Sequence, residues 1–272
     1  MAIPKYLYKF RSFRDENHKA MLSDNELFFA SPDKFNDPFD CSVPIRYEDF
    51  TKTEFFAYWT AVYRRDFPKD RDYEIRKMVK EFYNKVRSPS GRTILVRSQE
   101  ETIRRMRSRD VGVFSLTANL NSILSWSHYA DSHRGFCVGF HTLYLQAFLE
   151  KQGSFLDLRS VDYSKEYPFI NAYKTSYEEI TNRIVWTKSK DWDYEHEYRV
   201  FWLNGANKLL KIPNGIIRRV VLGCQVNPTD KTEMISILRS RADRISLFQA
   251  EPKEHRFGLR FNIIRYARDR QS

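Results

Sequence analysis

Glycine and proline are scarce in this chain, nine and ten of 272 residues. That leaves little room for low-complexity or disordered tracts, and the length favours one sizeable core over several small ones. No internal repeat recurs at a solenoid-like period. Apolar runs stay short of the roughly 18 residues a membrane span requires, and the opening MAIPKYLYKF lacks the apolar stretch of a signal peptide. The three cysteines, Cys41, Cys137 and Cys224, are odd in number and far apart. Two of them sit in the apolar runs FCVGF and VVLGCQV, so reduced, buried thiols and a cytoplasmic protein are expected. CxxC and HExxH are missing too, and the spacing of His128 and His133 around Asp131 is not that of a helical metal pair, so no metal is expected. Gly135 and Gly139 do not form GxGxxG, which excludes a Rossmann cofactor site.

What the chain has is positive charge. Lys and Arg number 46 against 35 acids, a net charge of +11, which favours polyanions such as nucleic acid or a nucleotide. The excess gathers between Arg64 and Arg109, and Arg104, Arg105 and Arg107 are candidate substrate-binding residues.

The hydrophobic pattern predicts strands at Tyr6–Phe10, Glu26–Ala30, Val111–Leu116 and Gly135–Phe140, and helices at Asp15–Leu22, Asn119–Tyr129 and Tyr177–Ile184. From Ile216 it predicts strand IIRRVVLG, helix Thr229–Arg241, strand ISLFQA and a last strand, Leu259–Tyr266. Between Tyr47 and Arg109, apolar residues recur at helical spacing. The whole, residues 1–272, reads as a single α+β domain with a basic helical insertion at about 48–110. The turn-rich FNDPFD lies before the insertion, its Phe35 and Phe39 expected to serve the core.

Asp191 to Trp202 carries the strongest chemical signal. As one extended strand it would show Trp192, Tyr194, His196, Tyr198, Val200 and Trp202 on one face and Asp191, Asp193, Glu195, Glu197 and Arg199 on the other. Glu195 and Glu197 would then stand about 7 Å apart, a paired-carboxylate arrangement suited to proton handling. Ser115 and Thr117 share a face at the end of another strand, and Arg11 follows the first strand. His133 sits at a loop mouth, where it could meet a phosphate.

The boxes YKFRSF, FNDPFD, FSLT, WSHYADSHRGFCVGF and WDYEHEYR, in this order, resemble a widespread bacterial domain family of unknown function, family 2971. A second resemblance is to ADP-ribosyltransferases, through the order Arg11, Ser115-Leu116-Thr117 and Glu195-His196-Glu197. It implies a split mixed β-sheet core and NAD as substrate. Arg11, Ser115 and Thr117 would hold the cofactor's phosphates and nicotinamide ribose, with Tyr129, Tyr8 or Phe136 as the stacking aromatic and His133 nearby. Glu197 would bond the ribose 2′-hydroxyl, Glu195 would orient the nucleophile, and Glu197→Gln would lose turnover without loss of fold. The acceptor would be a nucleic acid or protein, in a toxin or phage-defence setting where an antitoxin is a further expected partner. Two other readings stay open: a nucleic-acid-binding module without catalysis, and a nuclease using Asp191, Asp193, Glu195 and Glu197 as Mg²⁺ ligands.

Overall fold

The computed structural model describes residues 3–46, 50–153 and 156–267. Residues 47–49, where the predicted insertion begins, lie outside them. The protein is mixed α+β and forms two compact units. Unit 1 comprises residues 1–31, 109–163 and 190–272, and unit 2 residues 32–108 and 164–189.

Unit 1 is built on a sheet of β1 (Tyr6–Arg11), β4 (Val111–Thr117), β5 (Phe136–His141), β6 (Leu156–Ser160), β10 (Glu197–Leu203), β12 (Ile217–Leu222), β13 (Ser246–Pro252) and β14 (Leu259–Ile264). The strand order is β14-β13-β12-β5-β1-β4-β10-β6. β12 and β13 run parallel and every other neighbouring pair runs antiparallel. A ribbon of β2 (Glu26–Phe29) and β11 (Lys208–Lys211) completes the strands of this unit's core. The join between β1 and β4 is short: one residue pair, Tyr8 with Thr117. Farther along β4, Ala30 takes over as partner and exchanges both backbone hydrogen bonds with Val113 at 3.0 and 2.9 Å.

Alternation along the strands divides the side chains between two faces. On one, Leu7, Phe114, Leu116, Phe136, Val138, Val200 and Leu222 join the main core. There they meet Leu22 of α1 (Glu16–Ser23), Leu145 and Leu149 of α6 (Thr142–Lys151), and Met234 and Leu238 of α8 (Pro228–Ser240). On the other face, Tyr8, Phe10, Cys137 and Val221 pack with Trp126 and Ala130, the former in α5 (Ile123–Tyr129). α5 begins later than the predicted Asn119, because Thr117 and Asn119 accept the amides of Asn119 and Asn121 and hold that stretch in a turn. Ser122 then caps the helix by accepting from Ser125 N at 3.1 Å.

Unit 2 holds α2 (Lys52–Asp66), α3 (Asp72–Val86), α4 (Pro89–Arg105) and α7 (Tyr177–Trp186), with the short strands β3 (Ile45–Arg46), β8 (Ile170–Asn171) and β9 (Thr187–Ser189). The chain passes from unit 1 into it through β7 (Asp162–Ser164). Thr51 and Glu54 form a capping box at the start of α2. Phe55, Ile75, Val79, Val86 and Leu95 make the core, ringed by Phe50, Trp59, Phe82 and Tyr83. The predicted helical periodicity from Phe55 to Phe82 is therefore the inward face of α2 and α3. Cys41 and Cys137 are buried and Cys224 is half-buried. Among the described residues no helix is long and apolar enough to cross a membrane.

The long strand expected over Trp192–Leu203 is the main correction. Lys190–Glu195 is a 3₁₀ turn, and β10 begins only at Glu197. Between them His196 adopts φ +45°, a left-handed conformation that no strand contains. An extended chain would have aligned four carboxylates on one face, where like charges repel; the turn disperses them.

Candidate active site around Glu195 and Glu197

The site is assembled where β4 ends and β10 begins. Thr117 closes β4 and stands between Tyr8 of β1 and Glu197 of β10, its Cα partners on either side. Directly paired residues on neighbouring strands share a face, so Tyr8, Thr117 and Glu197 form one row across the sheet. Gly139 of β5 and Arg219 of β12 extend it. Ser115 and Arg199, also paired, lie on the same face one step along.

The turn before β10 is pinned to this row. Thr117 Oγ1 donates to the backbone oxygen of Glu195 and accepts from Asn119 N at 2.9 Å. The His196 oxygen accepts from Ala118 N at 3.1 Å. These bonds offset the strain at His196, which costs on the order of 1 kcal/mol. Glu195 consequently leaves the strand line and becomes buried, with 6% exposure, its Oε1 accepting from the Tyr129 hydroxyl at 2.7 Å. Tyr129 is the last residue of α5, so the helix that covers this face delivers its terminal hydroxyl to the first carboxylate.

Glu197 is held differently. Its carboxylate, 5% exposed, is gripped on both oxygens by the fully buried Arg199, Nε to Oε1 at 2.8 Å and Nη2 to Oε2 at 3.1 Å. Its backbone N donates to the Tyr163 hydroxyl at 2.8 Å, and its backbone oxygen accepts from Val161 N at 3.0 Å. A bidentate guanidinium–carboxylate pair is geometrically rigid, and a buried one repays its desolvation only while both partners are present. Tyr8 completes the row. Burial pushes its hydroxyl above the ordinary tyrosine value, against the opposing pull of Arg219, which donates to it. The Arg219 guanidinium lies 4.0 Å from the Tyr6 ring centroid, and Gly139 has no side chain to keep the Tyr8 ring and Arg219 apart.

The structure thus brings Glu195, Glu197, Ser115, Thr117 and Tyr129 together on one face. Arg11 is elsewhere. It pairs with Phe136, a main-core residue, so its side chain leaves the sheet on the opposite face, beside His18. Burial lowers it to about 10, partly countered by Asp15, and its Nε is buried with no hydrogen-bond partner among the described residues. Phe136 is fully buried in that core and cannot present a ring to a ligand.

His133 is built into the scaffold. Asp131, Ser132 and His133 all have positive φ, and the His133 ring stacks on Trp126 with centroids 6.3 Å apart. Its backbone oxygen accepts from Gln225 N at 3.0 Å, its Nδ1 is buried without a partner among the described residues, and burial holds the ring below the ordinary histidine value.

In unit 2, the three predicted substrate arginines separate. Arg104 is exposed and bonded to Glu101, and Arg105 is exposed. Arg107 turns inward, donating to Ser42 Oγ at 3.1 Å and to the Asp40 and Pro32 oxygens at 3.3 and 3.5 Å. It therefore ties down the FNDPFD loop. Within that loop Asp37 caps the Phe39 amide at 2.9 Å, while the Phe39 ring, expected in the core, is 66% exposed.

Arg199 and Arg219 are the residues that sequence reasoning undervalued. Arg199 had a signal, standing two residues from Glu197 on a predicted strand; Arg219 had none, because only the sheet order places it in the row. No group of three or more His, Cys, Asp or Glu residues able to hold a metal occurs among the described residues.

No curated protein and no solved structure matches the chain. Residues 125–200, which include SWSHYADSHRGF and YEHEYR, match the model of a family described as protein of unknown function (DUF2971), the family that these two boxes resemble.

Proposed function

We propose that the Glu195–Glu197 site cleaves the nicotinamide–ribose bond of NAD in the manner of an ADP-ribosyltransferase and passes ADP-ribose to a macromolecular acceptor. The observation that carries this reading is the burial of two neighbouring carboxylates where β10 begins, Glu195 accepting from Tyr129 and Glu197 from Arg199. Loss of neutral nicotinamide leaves an oxocarbenium-like ribose, which positioned carboxylates stabilise, and hydrogen bonds at the 2-hydroxyl strengthen as it forms. Glu197, locked by Arg199, would accept that hydroxyl. Glu195, steadied by Tyr129, would take the proton of the incoming acceptor as the new bond to ribose forms and nicotinamide departs. The brief join between β1 and β4, and the change of partner to Ala30, support a split sheet of the kind this chemistry uses. Arg11 is on the wrong face for the pyrophosphate; on the site's own face the cation nearest Tyr8 is Arg219.

A nucleic-acid acceptor is favoured over a protein by unit 2, whose exposed Arg76, Lys77, Lys80, Arg92, Arg97 and Arg105 supply the positive charge that phosphates attract. A toxin or phage-defence role, and an antitoxin that restrains it, belong to the same proposal.

The test is nicotinamide release from NAD, with label transfer followed on added RNA, DNA and protein. Glu195→Gln is expected to lower the rate at least about a hundredfold while the protein still folds, because the amide oxygen still accepts from Tyr129. A Glu195→Gln protein that cleaves NAD at the wild-type rate would sink the assignment, and so would a wild-type protein that leaves NAD intact.

A further inference from the structure

A cleft lies in unit 1 away from the carboxylates, sharing no lining residue with them. It is a cleft of about 310 Å³ between α6 and the segment 213–218, lined by Tyr144, Phe148, Lys151, Asn214 and Arg218 among others. That volume suits a mononucleotide-sized ligand. Its chemistry is one-sided: two cations stand against an apolar and aromatic wall, and none of the lining residues is acidic. The nearby Asp243 is already engaged, accepting from Gly215 N and from Arg241 Nε at 2.8 Å each.

The arrangement is held in place from beneath. Tyr144 is 51% exposed, yet its ring stacks on His141 with centroids 4.2 Å apart. His141 in turn meets the edge of Tyr6 at 5.6 Å. The Arg218 guanidinium rests 5.6 Å from the Tyr144 centroid. Gly215 holds φ +91°, which a side chain would strain, and a Cβ there would come within 3.6 Å of the Arg218 guanidinium.

We infer that this cleft binds a nucleotide, the base packed against Tyr144 and Phe148 and the phosphate taken by Arg218 and Lys151. A guanidinium forks onto phosphate oxygens, an aromatic face accepts any base, and an ammonium adds a point charge without geometric demand. The inference does not depend on NAD cleavage.

Its test is calorimetric titration of the full chain with AMP, adenosine and inorganic phosphate. AMP is expected to bind with a Kd below about 1 mM, and adenosine and phosphate each at least about tenfold more weakly. Tyr144→Ala, at an exposed residue, and Arg218→Ala, at a half-buried one, should each weaken AMP at least about tenfold while the protein stays folded. Glu195→Gln should bind AMP as the wild type does, which separates this site from the catalytic proposal. AMP affinity equal in wild type and both cleft variants, or no AMP binding at millimolar concentration, overturns the inference.

Discussion

The pair Glu197–Arg199 shows how one residue's neighbours decide what its substitution reports. Viewed as one of two exposed carboxylates, Glu197 is a group whose amide variant should fold normally. In the structure its charge faces a guanidinium with no solvent exposure. Removing one member of a buried pair typically costs about 3–5 kcal/mol, because the other charge stays desolvated. Glu197→Gln is therefore expected to lower unfolding stability by that order. The double variant Glu197→Met with Arg199→Met should lose less than the two single methionine changes added together, by about 1 kcal/mol or more. Urea denaturation of the four proteins in the cycle measures this, and strict additivity would mean that the pair is not coupled. Glu195 accepts from the Tyr129 hydroxyl, a bond that an amide oxygen can also accept, so its Gln variant keeps that contact.

At the scale of elements, the turn after α5 sets the site's shape. Three successive left-handed residues, Asp131 to His133, bring the chain back under Trp126, and Gly223 allows it to pass. A Cβ on Gly223 would lie 2.0 Å from the His133 oxygen and 3.0 Å from that of Gly135. Both atoms are backbone, so neither can step aside cheaply. Gly223→Ala should destabilise unit 1 by about 1–3 kcal/mol, the usual range for overpacking, and an unchanged denaturation midpoint would show that the turn can shift. Several elements were legible in the sequence. The strands at Tyr6, Val111 and Phe136 and the helices at Glu16 and Pro228 fall within a residue or two of their predicted limits, since each has a strong period and a capping or turn residue at its start. The stretch 141–176 offered no element, although α6 and β6 lie there. α6 has charged and exposed residues among its apolar ones, and β6 is an edge strand whose last two residues are exposed, so neither shows a clear period.

For the whole molecule, half-buried histidines link stability to pH. His133 is held below its ordinary value by burial, and His141 by burial and then by Lys5 and Arg218. The folded protein thus prefers both rings neutral, and as pH falls below about 6.5 the unfolded chain takes up protons first. More protons on the unfolded state means stability that is present above this value and lost on acidification. The melting temperature should fall between pH 7.5 and 5.5. The drop should be smaller in His133→Asn, a residue that tolerates the left-handed backbone and does not titrate. An equal drop in both proteins would remove His133 as a cause.

Sequence alone determined the class of the molecule, α+β with a basic helical block, and it singled out Glu195 and Glu197, because periodicity, charge and spacing are local properties. Which face each residue occupies was a different matter. Arg11 and Thr117 both lie at strand ends, and only pairing with Phe136 in one case and Tyr8 in the other sends them to opposite sides of the sheet. Likewise the break at His196 follows from bonds made by Thr117 and Ala118, nearly 80 residues earlier in the chain. Long-range hydrogen bonds and strand order decided these placements, and a pattern read along one segment contains neither.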